Sequence, residues 1–349
     1  MDVLILGGTE FLGWHIARAY TAAGHRVTLF NRGLRPAKVP SGCELLIGDR
    51  TGDLSGLRGR CWDVAVDTSG YLPRFVSNSA FALCDGVGSY VFVSTISVFE
   101  SPGPLTREDS GTSRLTQQQE AEADLVQPPV RSEPGGGYGA AYGALKARCE
   151  SVVQELMPAR TLVLRPGFII GPNDYSNRFP YWVERALRGG LALAPGEPGR
   201  RIRLIDARDI ADWLVGVTAA GRHGVFNLTG ADGVSMGDLL QSCSRLGGAV
   251  EWRWLPDEAL LAEGVRPFAD LPYWLPAAEN GVLEVPNDAA VDAGLRFRSL
   301  AESATDTARW RSALPASMRA TGGLDPAKER AVLAAARGAA PGLLSAPGP

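Results

Sequence analysis

The sequence predicts an α/β fold: a doubly wound parallel sheet followed by a smaller, mostly helical C-terminal part. Three observations carry that prediction. Short apolar runs alternate with helical patterns through the first half, a glycine turn follows the first run, and the strand rhythm weakens after "TLVLRPGFII".

The elements follow in order. "DVLILG" reads as a buried strand, and the helix over "FLGWHIARAYTAAG" stops at Gly24. "RVTLFN", "CELLIGD", "WDVAVDTS" and "SYVFVST" read as further strands. Strands separated by helices imply right-handed crossovers, hence a parallel sheet covered on both faces. Residues 101–137, rich in Pro, Gly, Gln and Ser, read as a long irregular excursion. A helix is expected from near Tyr138 to Pro158, and "TLVLRPGFII" as the next strand. "RFPYWVERALRGG" reads as helix, "RIRLIDARDIADWLVGVTAAG" as strand then helix, and "VFNLTG" as strand. The expected domains are residues 1–164, with 203–230 returning to their sheet, and residues 165–335. Residues 336–349, rich in Ala, Gly and Pro, are expected to form a flexible tail.

Composition narrows the function. The 349 residues are 45% hydrophobic and 21% charged, ordinary values for a soluble globular chain. A net charge of -3 gives no electrostatic case for gripping nucleic acid. The five cysteines are scattered without CxxC spacing, so neither a zinc site nor a disulfide framework is indicated, and reduced thiols in a cytoplasmic protein are expected. His15, His25 and His223 have no partner at ligand spacing, so no metal is expected. No run of about 18 uncharged apolar residues exists, so no membrane span is expected. "MDVLILGG" lacks the basic segment of a signal peptide. The sequence does not fix an oligomeric state, and a homodimer is compatible with it.

The turn "GGTEFLG", residues 7–13, joins a strand to a helix. Such a turn gathers backbone N–H groups at a positive helix end, and a pyrophosphate fits there. Gly7 suits the tight turn and Gly13 the close approach of helix to sheet. Thr9, Glu10, Phe11 and Leu12 complete the expected cofactor loop, with Glu10 in place of the central glycine of GxxGxxG. A plain helix N-terminus, with Glu10 favouring the dipole, is the bland alternative. "FNRG" ends the second strand, where a Rossmann-type domain meets the adenosine ribose. An acid there favours NAD and an arginine NADP. Asn31 and Arg32 occupy the place, so the expected cofactor is NAD or NADP, with Arg32 either favouring NADP or remaining a solvated surface charge.

The stretch "YGAAYGALKARCE" carries the chemistry. Tyr142 and Lys146 are four apart and share one helix face. A free phenol titrates near ~10, and a cationic neighbour lowers that value. The pair can therefore accept or donate a proton at a substrate hydroxyl. Tyr138, one turn earlier, reads as packing or substrate contact.

Taken in order, the glycine turn, "IGDR", "DTSG", "VSTISVF" and "YGALK" resemble the extended short-chain dehydrogenases/reductases, the group of NAD(P)-dependent sugar epimerases and dehydratases. The resemblance covers roughly residues 1–315, including "RPGFIIGPND" and "IDARDIADW". It implies that Gly7 and Gly13 hold the pyrophosphate, that Asp49 meets the adenine with Arg50 beside it, and that Ser69 and Gly70 pass beneath the cofactor. The catalytic hydroxyl falls on Thr95, with Ser94 before it. Tyr142 matches the catalytic base, and Lys146 the lysine that also holds the nicotinamide ribose. Pro166 and Phe168 lie near the nicotinamide. Tyr71, Thr95 and Ser97 are expected to meet substrate, and Tyr181 and Trp182 either to stack on it or to form core or domain contacts.

Four departures bear on the reaction. Glu10 replaces a glycine and Asn31 replaces the ribose-binding acid. Ile96 and Ser97 stand where 4,6-dehydratases carry an Asp-Glu pair, leaving Glu100 or Asp109 as substitute acids. Ile202, between Arg201 and Arg203, takes the position of the arginine aimed at a sugar-nucleotide diphosphate. The expected activity is NAD(P)-dependent oxidation of a secondary hydroxyl in a sugar-type or nucleoside substrate, transient within a redox-neutral epimerisation or dehydration. An NADPH-dependent ketone reductase is the nearer alternative. A non-catalytic RNA-binding or regulatory member of the fold is the distant one.

Overall fold

The computed structural model describes residues 1–34, 38–126, 138–315, 319 and 322–338; residues 339–349 of the expected tail, and 127–137 of the expected excursion, lie outside them. Through the first half the elements are β1 (Asp2–Leu6), α1 (Phe11–Ala22), β2 (Arg26–Asn31), β3 (Cys43–Ile47), β4 (Trp62–Asp67), α2 (Pro73–Leu83) and β5 (Val87–Val93). There follow α3 (Gln117–Leu125), α4 (Tyr142–Leu156), β6 (Thr161–Pro166), β7 (Phe168–Ile170), α5 (Arg178–Arg188), β8 (Gly190–Pro195) and β9 (Leu204–Asp206). The chain continues with α6 (Ala207–Ala219), β10 (Gly224–Leu228), α7 (Met236–Ser244), β11 (Val250–Leu255), α8 (Asp257–Ala262), α9 (Asp288–Asp292), α10 (Leu300–Ala313) and α11 (Pro326–Gly338).

Seven strands form one parallel sheet in the order β10-β6-β5-β4-β1-β2-β3. Alternation along each strand builds two cores. Val3, Ile5, Val27, Leu29, Val64, Val66, Val91 and Val93 face one side with α1 and α6. Leu4, Leu6, Ala65, Tyr90 and Phe92 face the other with α2 and α4. Both faces are therefore covered, which is why these strands read as nearly continuous apolar runs. The fold is a Rossmann-like doubly wound sheet. β1 lies between β2 and β4, so the strand order reverses at its C-terminal end, where ligands of such sheets bind.

The chain divides into two compact units. The first holds residues 1–176, 203–233 and 281–299, including the whole seven-stranded sheet. The second holds residues 177–202, 234–280 and the chain from Leu300. It is helical apart from β8, which pairs parallel to β11. Within it the buried Arg185 guanidinium pairs with Glu329 at 2.8 Å, and Glu329 also accepts the Leu193 N–H.

Local structure departs from the sequence reading in three places. "TLVLRPGFII" is two strands, because Gly167 donates its N–H to Leu228 and the chain then leaves the main sheet for β7, which pairs with β9. The helix expected from Tyr138 begins at Tyr142, after a 3-10 turn over Gly139–Ala141. The excursion carries α3, started by a reciprocal capping box between Thr116 and Gln119.

Candidate active site

The glycine turn shows why small residues are required. Gly7 has φ +109 and Gly8 φ +84, backbone that L side chains rarely adopt. A Cβ on Gly7 would lie 2.6 Å from Thr68 Oγ1, and one on Gly13 would lie 3.1 Å from Gly8 Cα. The turn is packed closely against Thr68 and Leu29, so any side chain on these glycines would clash, and it sits at the N-terminus of a 12-residue helix. A phosphate-bearing dinucleotide fits the chemistry of such a turn, since a glycine turn between strand and helix offers backbone N–H groups at a positive helix end.

Glu10 is the N-cap of α1, in extended backbone and without a side-chain capping bond. Its carboxylate is instead met by Lys38 Nζ at 3.0 Å. That amine offsets the charge that an anionic ligand at this helix end would oppose. Lys38 was not singled out by the sequence, because it lies in a loop 28 residues away. Only three lysines occur in the chain, Lys38, Lys146 and Lys328.

Three expected cofactor contacts are used internally. Asn31 Nδ2 donates to the Gly7 carbonyl at 3.0 Å, and its Oδ1 accepts from Gly33 N–H at 2.9 Å. The amide thus ties the end of β2 to the glycine turn, a role distinct from the expected ribose contact. Arg50, expected beside Asp49 in the cofactor site, is turned inward. Its two terminal nitrogens grip Asp67 at 2.8 and 2.7 Å and also reach the Ser69 and Ser79 hydroxyls. Asp49 accepts from the Thr51 N–H and hydroxyl and shapes its own turn. Arg32 is exposed.

Asp67 is fully buried at the end of β4 and also accepts from Tyr90 Oη at 3.0 Å and Ser69 N–H at 3.0 Å. Burial alone would raise its carboxyl; the Arg50 guanidinium and the donors around it outweigh burial and hold it below the usual carboxylate range. This network anchors Ser69 and Gly70.

Lys146 is buried, and its Nζ donates to the Gly70 carbonyl at 2.6 Å and the Val93 carbonyl at 2.7 Å. Burial pushes its amine down to about 8. Tyr142, on the same helix, is half-buried. Its ring lies 6.5 Å from that of Tyr71, which stacks on Tyr138 at 5.8 Å. Burial, then the neighbouring Tyr71, raises the Tyr138 phenol to about 12. Thr95 Oγ1 caps the short turn after β5 by accepting from Ser97 N–H at 3.1 Å and donates to Ser97 Oγ at 3.2 Å. Ser94 Oγ is buried with no hydrogen-bond partner among the described residues.

Two positioning features escaped the sequence reading. A Cβ on Gly143 would fall 2.0 Å from the Ser97 carbonyl, so α4 presses directly on the Thr95 turn. One turn beyond Lys146, the buried Glu150 pairs with Arg165 of β6 at 2.7 Å, fixing the rotation of α4 on the sheet. The "YG" of "YGALK" is the signal that would have pointed to the first.

The remaining expected residues are elsewhere or otherwise engaged. Pro166 is buried at the end of β6, and Phe168 packs with Ile96, Val98, Phe99 and Ala147. Tyr181 and Trp182 belong to the second unit, not the unit that carries Tyr142 and Lys146. Trp182 is fully buried there with Nε1 donating to the Pro272 carbonyl at 2.9 Å, so it serves as core in place of the expected stacking face. Tyr181 is also buried. Ile202 is fully buried, and Arg203 is engaged by Asp232 at 2.7 Å. Glu100 and Asp109 are exposed. His15 is buried with Nε2 at 2.9 Å from the Pro172 carbonyl, and burial lowers its pKa. Among the described residues no group of His, Cys, Asp or Glu is arranged to hold a metal, and no helix is long and apolar enough to cross a membrane.

No family model matches the chain. It is similar to the chloroplast stem-loop binding protein of 41 kDa b of Arabidopsis thaliana, 26% identical over 269 residues that cover 71% of this chain and 64% of that protein. It is also similar to a 2-alkyl-3-oxoalkanoate reductase of Stenotrophomonas maltophilia, 30% identical over 216 residues, 55% of this chain and 58% of that protein. The chain thus spans less than two thirds of the length of either relative. Among solved structures, the UDP-glucose 4-epimerase of Thermus thermophilus in complex with NAD aligns over 90% of this chain and 100% of that one, with a TM-score of 0.58 at 19% identity. At that identity the likeness is one of fold.

Proposed function

We propose that this chain, which has the fold of the extended short-chain dehydrogenases/reductases, is an NAD(P)-dependent enzyme acting on a secondary hydroxyl of a sugar-type or nucleoside substrate. Its net reaction is redox-neutral, an epimerisation or a dehydration. The observation that carries the reading is the packing of α4: Gly143 brings the helix bearing Tyr142 and Lys146 against the Thr95 turn, at the same sheet edge as the glycine cradle. The likeness to an epimerase solved with NAD supports it.

A nicotinamide dinucleotide would be held at the turn of Gly7, Gly8 and Gly13, and would supply a hydride acceptor that can return what it takes. The chain's own residues handle the proton. Tyr142 takes it from the substrate hydroxyl, and the Thr95 hydroxyl, turned from Ser97 Oγ, donates to the oxygen as carbonyl character develops. Lys146, charged below about 8, favours the phenolate form of Tyr142. A ketone acidifies the neighbouring C–H. Ile96 and Ser97 supply no acid there, and Glu100 and Asp109 are exposed, so epimerisation is favoured over loss of water.

The test is isotopic. UDP-glucose and free nucleosides deuterated at the secondary carbinol carbons are incubated with the enzyme and a trace of NAD or NADP. A redox-neutral enzyme converts them over many turnovers, keeps the label in the product, and leaves no lasting absorbance from reduced nicotinamide. Stoichiometric change in that absorbance selects the reductase reading, which the similarity to 2-alkyl-3-oxoalkanoate reductase favours. The similarity to a stem-loop binding protein keeps an RNA-binding role as a third outcome; the net charge of -3 speaks against it.

A further inference from the structure

Lys146 is enclosed by two kinds of group. Its Nζ donates to the Gly70 and Val93 carbonyls at 2.6 and 2.7 Å. Two rings also face it: Phe92, with its centroid 4.2 Å from Nζ, and Tyr71 at 5.4 Å. Both distances lie where the negative face of a ring attracts an ammonium. Phe92 is fully buried, whereas Tyr71 is half-buried, stacks on Tyr138 and lies beside the Tyr142 ring. Tyr71 therefore contacts both the amine and the phenol.

We infer that Tyr71 is a positioning residue for the Tyr142–Lys146 pair: its ring is the outer wall of a cage of two carbonyls and two aromatic faces that keeps the Lys146 amine protonated. The charged neighbours explain why such a cage matters. Asp67 and Arg50 face the amine from the β4 side and are committed to each other at 2.7 Å. Glu150, on α4 itself, is committed to Arg165. Cys149, also on α4, is kept neutral by burial, which raises its thiol to about 12. Neither carboxylate is a dedicated counter-ion. Asp67 and Glu150 attract the amine while each is shared with an arginine, and carbonyl dipoles and ring faces add to what opposes the desolvation that lowers it.

The functional meaning rests on the proposed Tyr142–Lys146 chemistry, but the test needs no turnover. With three lysines in the chain, lysine labelled with carbon-13 at Cε gives three signals to titrate by NMR. Lys146→Met identifies the one of interest. Starting from Tyr71→Phe as reference, phenylalanines carrying one, two and three fluorines are placed at position 71. Fluorine drains the ring face with little change in bulk, so burial stays constant. The Lys146 midpoint is expected to fall stepwise, by roughly 0.4 to 1.5 pH units in all, the shift equivalent to a cation–π contact. Lys38 and Lys328 stay put and report that the protein is folded. A midpoint that does not move across the series overturns the inference. Should a fluorinated variant not fold, the wild type decides: cross-relaxation between Tyr71 ring protons and the Lys146 Hε protons is expected, and its absence overturns the inference equally. A moving midpoint in a protein that binds no dinucleotide would leave the cage standing and remove the proposed function.

Discussion

Asp67→Asn should cost this protein much of its stability. Asp67 is fully buried and accepts four hydrogen bonds, two of them the parallel pair from Arg50 at 2.8 and 2.7 Å. The substitution leaves the Arg50 guanidinium, 14% exposed, with hydroxyl and carbonyl partners but no opposite charge. Breaking one side of a buried pair costs about 3–5 kcal/mol. Urea unfolding followed by far-ultraviolet circular dichroism measures it, and the slope of the transition shows whether cooperativity is kept. The double variant Asp67→Leu/Arg50→Met should recover most of the loss, since well-packed apolar replacements of buried pairs are often neutral. Arg50→Met alone should act on stability first, and on dinucleotide affinity only through Ser69 and Gly70. A loss below about 1 kcal/mol for Asp67→Asn would refute the reasoning, because that is the range of a solvent-exposed pair.

Four further outcomes are expected. Lys38→Met should weaken dinucleotide binding several-fold by calorimetry and Lys38→Met/Glu10→Gln should restore it, while stability moves by less than about 1 kcal/mol, since the pair is partly exposed. Tyr142→Phe should abolish turnover with cofactor binding intact, whereas Lys146→Met should damage both. Arg32→Ala should weaken NADP(H) more than NAD(H) if the arginine meets a 2′-phosphate, and an equal effect returns it to the surface. The Lys146 amine titrates at about 8 when folded, below the ~10.4 of an unfolded lysine. The unfolded chain then binds more protons between those values, so this residue's contribution to stability rises with pH across that window. Lys146→Met should lack the rise in paired unfolding curves.

Local pattern carried much of the fold. Each main-sheet strand from β1 to β6 announces itself by a short apolar run, and Gly7, Gly13, Tyr142 and Lys146 stand at spacings with a direct geometric meaning. What escaped depends on partners distant in the chain. Arg50 reads as the neighbour of Asp49 in a cofactor site until Asp67, 17 residues on, is folded against it. Lys38 looks like any loop lysine, and Asn31 like a weakened ribose ligand, until Glu10 and the Gly7 carbonyl are in place. Trp182 reads as either a stacking ring or a core ring, and only Pro272, 90 residues away, marks it as core. The α3 helix was legible in "TQQQ", a capping box obscured by the polar composition around it.

The most direct measurement is a calorimetric titration of the purified protein with NAD, NADH, NADP and NADPH, repeated on Gly7→Val. Valine at 7 would need φ +109 and place its Cβ 2.6 Å from Thr68 Oγ1, so the cradle cannot persist around it. Saturable one-site binding of at least one of the four forms, lost in Gly7→Val, is the predicted result. No binding of any of the four to the unaltered protein would contradict the account.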